Sequence, residues 1–121
     1  MSLYNFAYGS TVTHLSASAS QASTVTGAAV DLSGYDAPLA IIQSHGTGTG
    51  TLDGKLQDSA DGSTGWADIS GAAFTQSTTT ADVKVLALNP TSVKRYIRYV
   101  GTIVTGPQNV GVVMIGMKKS I

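Results

Sequence analysis

"TLDGKLQD", residues 51–58, decides the fold class of this chain. Leu52, Gly54 and Leu56 fall on one side of a two-residue repeat, and Asp53, Lys55 and Gln57 fall on the other. Successive side chains of a strand point to opposite faces, so this alternation describes a strand with one face in a core and one in water. Helical periodicity is hard to find anywhere else in the chain. Short β-branched runs punctuated by Gly, Asn, Asp and Pro recur instead at intervals of about ten residues, the spacing of a sandwich. All seven acidic residues are Asp and none is Glu, which suits turns and strand ends better than helix faces.

Working outward from that strand, the sequence predicts a buried strand over Ala37–His45 and a weaker one over Ser23–Leu32, interrupted by Gly27. Downstream come a short strand at Trp66–Ile69, the segment "GAAFTQ" (71–76), and strands over Val83–Leu88, Lys94–Val104 and Asn109–Met117. The last two carry large residues on both faces, which predicts central positions in their sheets. "TGPQ" (105–108) reads as a hairpin between them. With no helical crossover pattern, the expected fold is all-β: an antiparallel β-sandwich of seven or eight strands, jelly-roll or immunoglobulin-like, with the strand order open between the two.

The domain is expected over 23–121, preceded by an N-terminal arm or linker over 1–22. Ser, Ala and Thr dominate residues 10–24, a composition that buries little by itself. Ahead of it, Tyr4, Phe6 and Tyr8 share one face if the segment is extended. That face suits either a first strand packed on its own domain or an arm added to a neighbouring subunit.

The chain has 121 residues, a length for one domain, and is 42% hydrophobic and 12% charged with zero formal net charge. No broad attraction to nucleic acid, anionic membrane or acidic polymer is expected from it. Cysteine is absent, which removes disulfides, thiolate metal sites and thiol nucleophiles together. The first residues show neither a basic n-region nor an apolar h-region, and no run approaches a membrane span, so a soluble chain without a cleaved address is expected.

Candidate chemistry is sparse. "DSADGST" (58–64) sets Asp58 and Asp61 in a Gly/Ser-rich segment, but a calcium loop needs more converging oxygens and the EF-hand form ends in Glu; a turn accounts for the residues more simply. "HGTGTGTLDGK" (45–55) lacks the Lys-Ser/Thr of a phosphate-binding loop and reads as a flexible hairpin loop. His14 and His45 have no evident third ligand for zinc. "KRYIRY" (94–99) interleaves bases with Tyr, yet strand geometry sends Lys94, Tyr96 and Arg98 one way and Arg95, Ile97 and Tyr99 the other, so no single nucleic-acid platform results. At least one of these Arg is expected to lie near a sheet edge, to extend its head outward into water, or to pair with an Asp. No nucleophile elbow or carboxylate pair marks a hydrolase, and Trp66, as a lone aromatic, suits core, interface or a sugar platform.

"AAVDLSGYDAPLAII" (28–42), "LDGKLQDSADGSTGWADISGAAFTQ" (52–76), "KRYIRYVGTIV" (94–104) and "VGVVMIGMKK" (110–119) together resemble a group of small tailed-bacteriophage structural proteins. The shared features are a D-L-x-G-Y-D entry, a K-L-Q-x-S-x-D-G-S hairpin and an R-Y-I-R strand. The resemblance covers about residues 24–119 and leaves out the N-terminal arm. It implies a non-enzymatic virion component on the outer surface of the phage head: a decoration or cement protein contacting the major capsid protein and further copies of itself, most simply as trimers. It implies no cofactor, nucleic acid or membrane partner. The alternatives are a tail, neck or connector component, or a carbohydrate-binding β-sandwich module. Tyr4, Phe6, Tyr8, Trp66, Tyr96 and Arg98 are the candidate subunit or capsid contacts, and no catalytic, cofactor-binding or metal residue is assigned.

Overall fold

A computed structural model of the chain describes residues 10–35 and 38–117. Tyr4, Phe6 and Tyr8 lie outside the described residues. The described elements are all strands: β1 (Ser10–Gln21), β2 (Val25–Thr26), β3 (Val30–Asp31), β4 (Leu39–Gly48), β5 (Thr51–Ser59), β6 (Ala67–Ala73), β7 (Asp82–Leu88), β8 (Tyr96–Val104) and β9 (Gln108–Met117).

They form two antiparallel sheets. The first has the order β1-β9-β4-β7, and the second β2-β8-β5-β6 with β3 also paired to β8. The pairing is nested: β1 with β9, β2 and β3 with β8, β4 with β7, and β5 with β6. A chain paired this way is one long hairpin whose tip is the β5–β6 turn. Rolling it up brings β4 against β9 and β5 against β8. That is the jelly-roll order, eight strands when β2 and β3 count as one interrupted strand. An immunoglobulin-like sandwich would pair its first two strands in one sheet, whereas β1 and β2 lie in different sheets.

The core lies between the sheets. Ile41 of β4, Val112 and Met114 of β9, Leu52 and Leu56 of β5, and Ile97 and Tyr99 of β8 are all fully buried. Each large apolar side chain removed from water in this way contributes about 1.5–3 kcal/mol. The alternation read from residues 51–58 is observed, with Leu52 and Leu56 inward and Asp53 exposed. The central placement of the last two strands is observed too: β8 lies between β2/β3 and β5, and β9 between β1 and β4.

Four expectations are corrected. Residues 10–21 are not an arm or linker but a strand of the domain, paired to β9 from Ser10↔Met117 to Gln21↔Gln108. Backbone ladders need no apolar side chains, and Leu15, 1% exposed, anchors the strand alone. The small residues around it have a positive use, because Ser18 packs so close to Gly111 that a Cβ there would meet the Ser18 Cα at 3.0 Å.

Ser23–Leu32 is two short pieces rather than one strand. The backbones of β1 and β2 converge at Gly27, where a Cβ would stand 2.0 Å from the Leu15 carbonyl oxygen. "TGPQ" is not a hairpin, since β8 and β9 belong to different sheets and the segment crosses between them. "HGTGTG" is mostly strand: β4 runs through Gly48 and β5 starts at Thr51, again in the other sheet. These two crossovers pack on each other, and Thr49 donates its N–H to the Pro107 carbonyl at 2.8 Å. Gly50 (φ 80°) leaves room for the Val104 and Thr105 carbonyls, which a Cβ would approach to 2.1 and 2.0 Å.

The interior also holds polar side chains. Gln43 and Gln108 are fully buried and His45 is 3% exposed. Tyr99 donates its hydroxyl to Gln43 Oε1 at 2.6 Å, and Gln108 Nε2 donates to the Thr49 carbonyl at 2.9 Å. His45 bonds through both ring nitrogens, Nδ1 with the Thr80 carbonyl (3.1 Å) and Nε2 with Gln108 Oε1 (2.5 Å). Burial pushes the Tyr99 phenol well above its ordinary range. Gln43 Nε2 has no partner among the described residues.

Candidate functional site

The stretch from Asp58 to Trp66 is the last two residues of β5 and the β5–β6 turn, at the tip of the nested hairpin. Its polar atoms are directed at each other. Asp61 accepts from the N–H of Ser63 (2.9 Å), the N–H of Thr64 (2.8 Å) and the Thr64 hydroxyl (2.7 Å). These donors hold its carboxyl well below the usual carboxylate range, the Thr64 N–H foremost. The buried Ser59 hydroxyl accepts from the Gly62 N–H at 3.1 Å and donates to the Thr64 carbonyl. Gly62 (φ 79°) lets the turn lie across the Tyr96 ring, whose nearest atom would stand 3.0 Å from a Cβ at that position.

Three of the six candidate contact residues are brought together here. Tyr96 lies opposite Ser59 and Arg98 opposite Gln57 on the β5–β8 ladder. The Arg98 guanidinium stands 4.4 Å from the Trp66 ring centroid, a cation–π distance, and its Nε donates to Gln57 Oε1 at 2.9 Å. Gln57 Nε2 continues to Asp68 Oδ1 at 2.9 Å, and Lys55 closes the chain on Asp68 at 3.0 Å. Hydrogen bonds from Gln57 and then Lys55 lower the Asp68 carboxyl. Arg95 grips Asp31 through two bonds, Nε to Oδ1 (3.0 Å) and a terminal nitrogen to Oδ2 (2.9 Å), one of the three outcomes open to these Arg. The outer face of the second sheet is thus a connected polar and charged surface, and one side of Trp66 is covered by Arg98.

The outer face of the first sheet is different. Register places Val12 beside Ile115, Ala40 and Ala87 in one row across the four strands, and His14 beside Val113, Ile42 and Val85 in the next. Val12, Val83 and Val85 are 63%, 65% and 61% exposed. The four strands contain two charged residues, Asp82 and Lys84, and both lie at positions opposite the inward-facing His45 and Gln43. No carboxylate, ammonium or guanidinium of these strands therefore sits on the outer face. Sequence reasoning missed this surface. Its signal is present in the large residues on both sides of β9, which mark an outer apolar face as well as a central position.

Two open hollows accompany these faces. One, of about 450 Å³, is lined by Asp58, Asp68, Asn89 and Ser92 among others. Both carboxylates there are engaged, Asp58 by the Lys94 N–H at 3.1 Å. The other, of about 520 Å³, lies between β1 and β2 and includes His14. Among the described residues no Ser hydroxyl bonds a His ring, no group of three His, Asp or Glu converges on a metal position, and no helix is long and apolar enough to cross a membrane. His14 is exposed on the outer face of its sheet while His45 is buried. No protein-family model matches the chain, and no curated protein matches it either.

Proposed function

We propose that this chain is a non-enzymatic structural component of a phage particle, a decoration or cement protein on the outer surface of the head that contacts the major capsid protein and further copies of itself. One observation carries the reading: the uncharged, largely apolar outer face of the β1-β9-β4-β7 sheet. Soluble monomers rarely expose contiguous apolar patches beyond a few hundred Å², and larger ones mark interaction surfaces. The jelly roll hosts capsid and lectin domains alike, so the fold leaves the role open and the surface supports it. A carbohydrate-binding module is less well supported, because one face of Trp66 is occupied by Arg98.

Quantifying the protein against the major capsid protein in purified particles, by mass spectrometry with labelled standards, tests the proposal. A copy ratio near one, or a simple fraction set by the icosahedral axes, is expected. A handful of copies per particle would place the chain in a tail, neck or connector, and absence from particles would overturn the virion reading.

A further inference from the structure

We propose that the outer face of the β1-β9-β4-β7 sheet is covered by the same face of a second copy of this chain, in a two-fold, face-to-face dimer. The inference deepens the reading above, in which the protein contacts itself, and replaces the expected threefold arrangement for this contact.

Edge-to-edge pairing is the obvious rival route to a β-protein oligomer, and each sheet edge is guarded against it. β1 carries register shifts at His14/Ser16 and Ser16/Ala19. β7 presents Lys84 on its inward side, where Nζ donates to Ser77 Oγ (2.8 Å) and Asp82 Oδ2 (3.1 Å). β2 and β3 are two residues each. β6 is shifted against Lys55/Gln57 and holds Gly71 at φ 78°. Bulges, short strands and inward charges all spoil an edge as a template, which leaves the faces.

Charge then selects the occupant. A partner for this face must itself be uncharged, since any unpaired carboxylate or ammonium pressed against Val12, Ile42, Val85 and Val113 would lose its water without compensation. The outer face of the second sheet fails that test, carrying Asp53, Lys55, Asp68 and Arg98. The matching surface in hand is the same face of another copy, and a two-fold axis makes any such patch complementary to itself. Face-to-face packing is also a standard way for two apolar sheet faces to leave water.

Area decides the strength. Four strands about 4.8 Å apart span roughly 19 Å, and about seven residues at about 3.4 Å each give roughly 24 Å, a projected footprint of about 450 Å² per copy. Two copies bury about 900 Å² before side-chain relief is counted, close to the lower limit of about 1,000 Å² for a specific interface. An interface of that size belongs with the weak, transient class, so the dimer is expected to form only as protein concentration rises.

Sedimentation velocity of the full chain from about 1 µM to about 1 mM brackets the dissociation constants expected of so small an interface. The mass should move from one copy to two. Val85→Asp, which enters a two-fold interface twice, should raise the dissociation constant at least tenfold, with an unchanged circular dichroism spectrum. Val12→Asp on the opposite edge strand should do the same, so the test does not rest on one variant's folding. Val104→Asp, at a valine 58% exposed on the other sheet, should leave the dimer intact. A wild type monomeric throughout, a dimer that survives both folded variants, or a trimer would overturn the proposal. Particle copy number is a separate readout, so failure here and failure of the virion reading remain distinguishable.

Discussion

Tyr99 and Gln43 offer a test in which two harmful changes should cancel. In the wild type the Tyr99 hydroxyl donates to Gln43 Oε1, while Gln43 Nε2 has no partner among the described residues. Tyr99→Phe removes the donor and leaves a second buried polar atom unpaired, which costs about 1–3 kcal/mol. Gln43→Leu removes both amide atoms but strands the hydroxyl, so the number of unpaired atoms stays at one. With near-equal volume, its stability should lie within about 1 kcal/mol of wild type. The double variant has no buried polar atom left at the site and should match or exceed wild type, because replacing both partners by apolar groups is nearly neutral or stabilising. The same Tyr99→Phe change thus destabilises one background and not the other. Urea unfolding of the four proteins, at equal m-values, measures the cycle. The competing account is packing: Gly54 and Gly101 press on the Tyr99 hydroxyl, with hypothetical Cβ atoms 2.6 and 2.9 Å away. An equal loss from Tyr99→Phe in both backgrounds would assign the effect to that packing and refute the hydrogen-bond reasoning.

Three further outcomes are expected. Arg98→Ala should uncover the sole Trp, red-shifting its emission and raising acrylamide quenching, at a stability cost under about 1 kcal/mol; unchanged emission would mean the Trp66 ring is not shielded by Arg98. Asp31, Asp61 and Asp68 all have lowered carboxyl pKa values, through Arg95 and the Ser33 N–H, through the Thr64 and Ser63 N–H groups, and through Gln57 and Lys55 respectively. Their contribution is complete above the unfolded value of about 3.9 and is lost as pH falls below it, where the unfolded chain binds protons first. Melting temperature should accordingly be insensitive to these groups near neutrality and fall below about pH 4, less steeply in Asp61→Ala. Deleting residues 1–22 removes β1 and Leu15, strips β9 of one neighbour, and should abolish the cooperative thermal transition; a folded truncation would show that β1 is dispensable.

What the sequence revealed follows from which physics each residue carries. Period-two burial is a local property, so Leu52, Asp53 and Leu56 could be placed from residues 51–58 alone. That an Arg of residues 94–99 must reach an edge, extend outward or pair with an Asp was legible because a sheet cannot absorb three bases on both faces of one strand; the choice of Asp31 by Arg95 was not, because it depends on β3 pairing with β8. The crossovers were not legible, because a two-residue connection such as Thr49–Gly50 looks alike whether it joins neighbours in one sheet or steps to the other. β1 was misjudged for the opposite reason: its contribution is main-chain pairing plus one Leu, and composition is blind to main-chain pairing. The contact surface was hidden because Val12, Ile42, Val85 and Val113 come from four strands scattered over the chain, and only register assembles them onto one face.

The nested pairing also has a consequence for how the chain is made. β8 and β9 are each an interior strand of their sheet, and among the described strands they are the last to leave a ribosome. Until they emerge, β1, β2 and β3 have no ladder partner, and only the β4–β7 and β5–β6 pairs can form. Synthesis at about 5–20 residues per second therefore holds half-built sheets open for seconds. The low charge and small side chains of β1 keep that waiting segment free of long apolar runs, a property useful during synthesis even though it contributes little to the finished core.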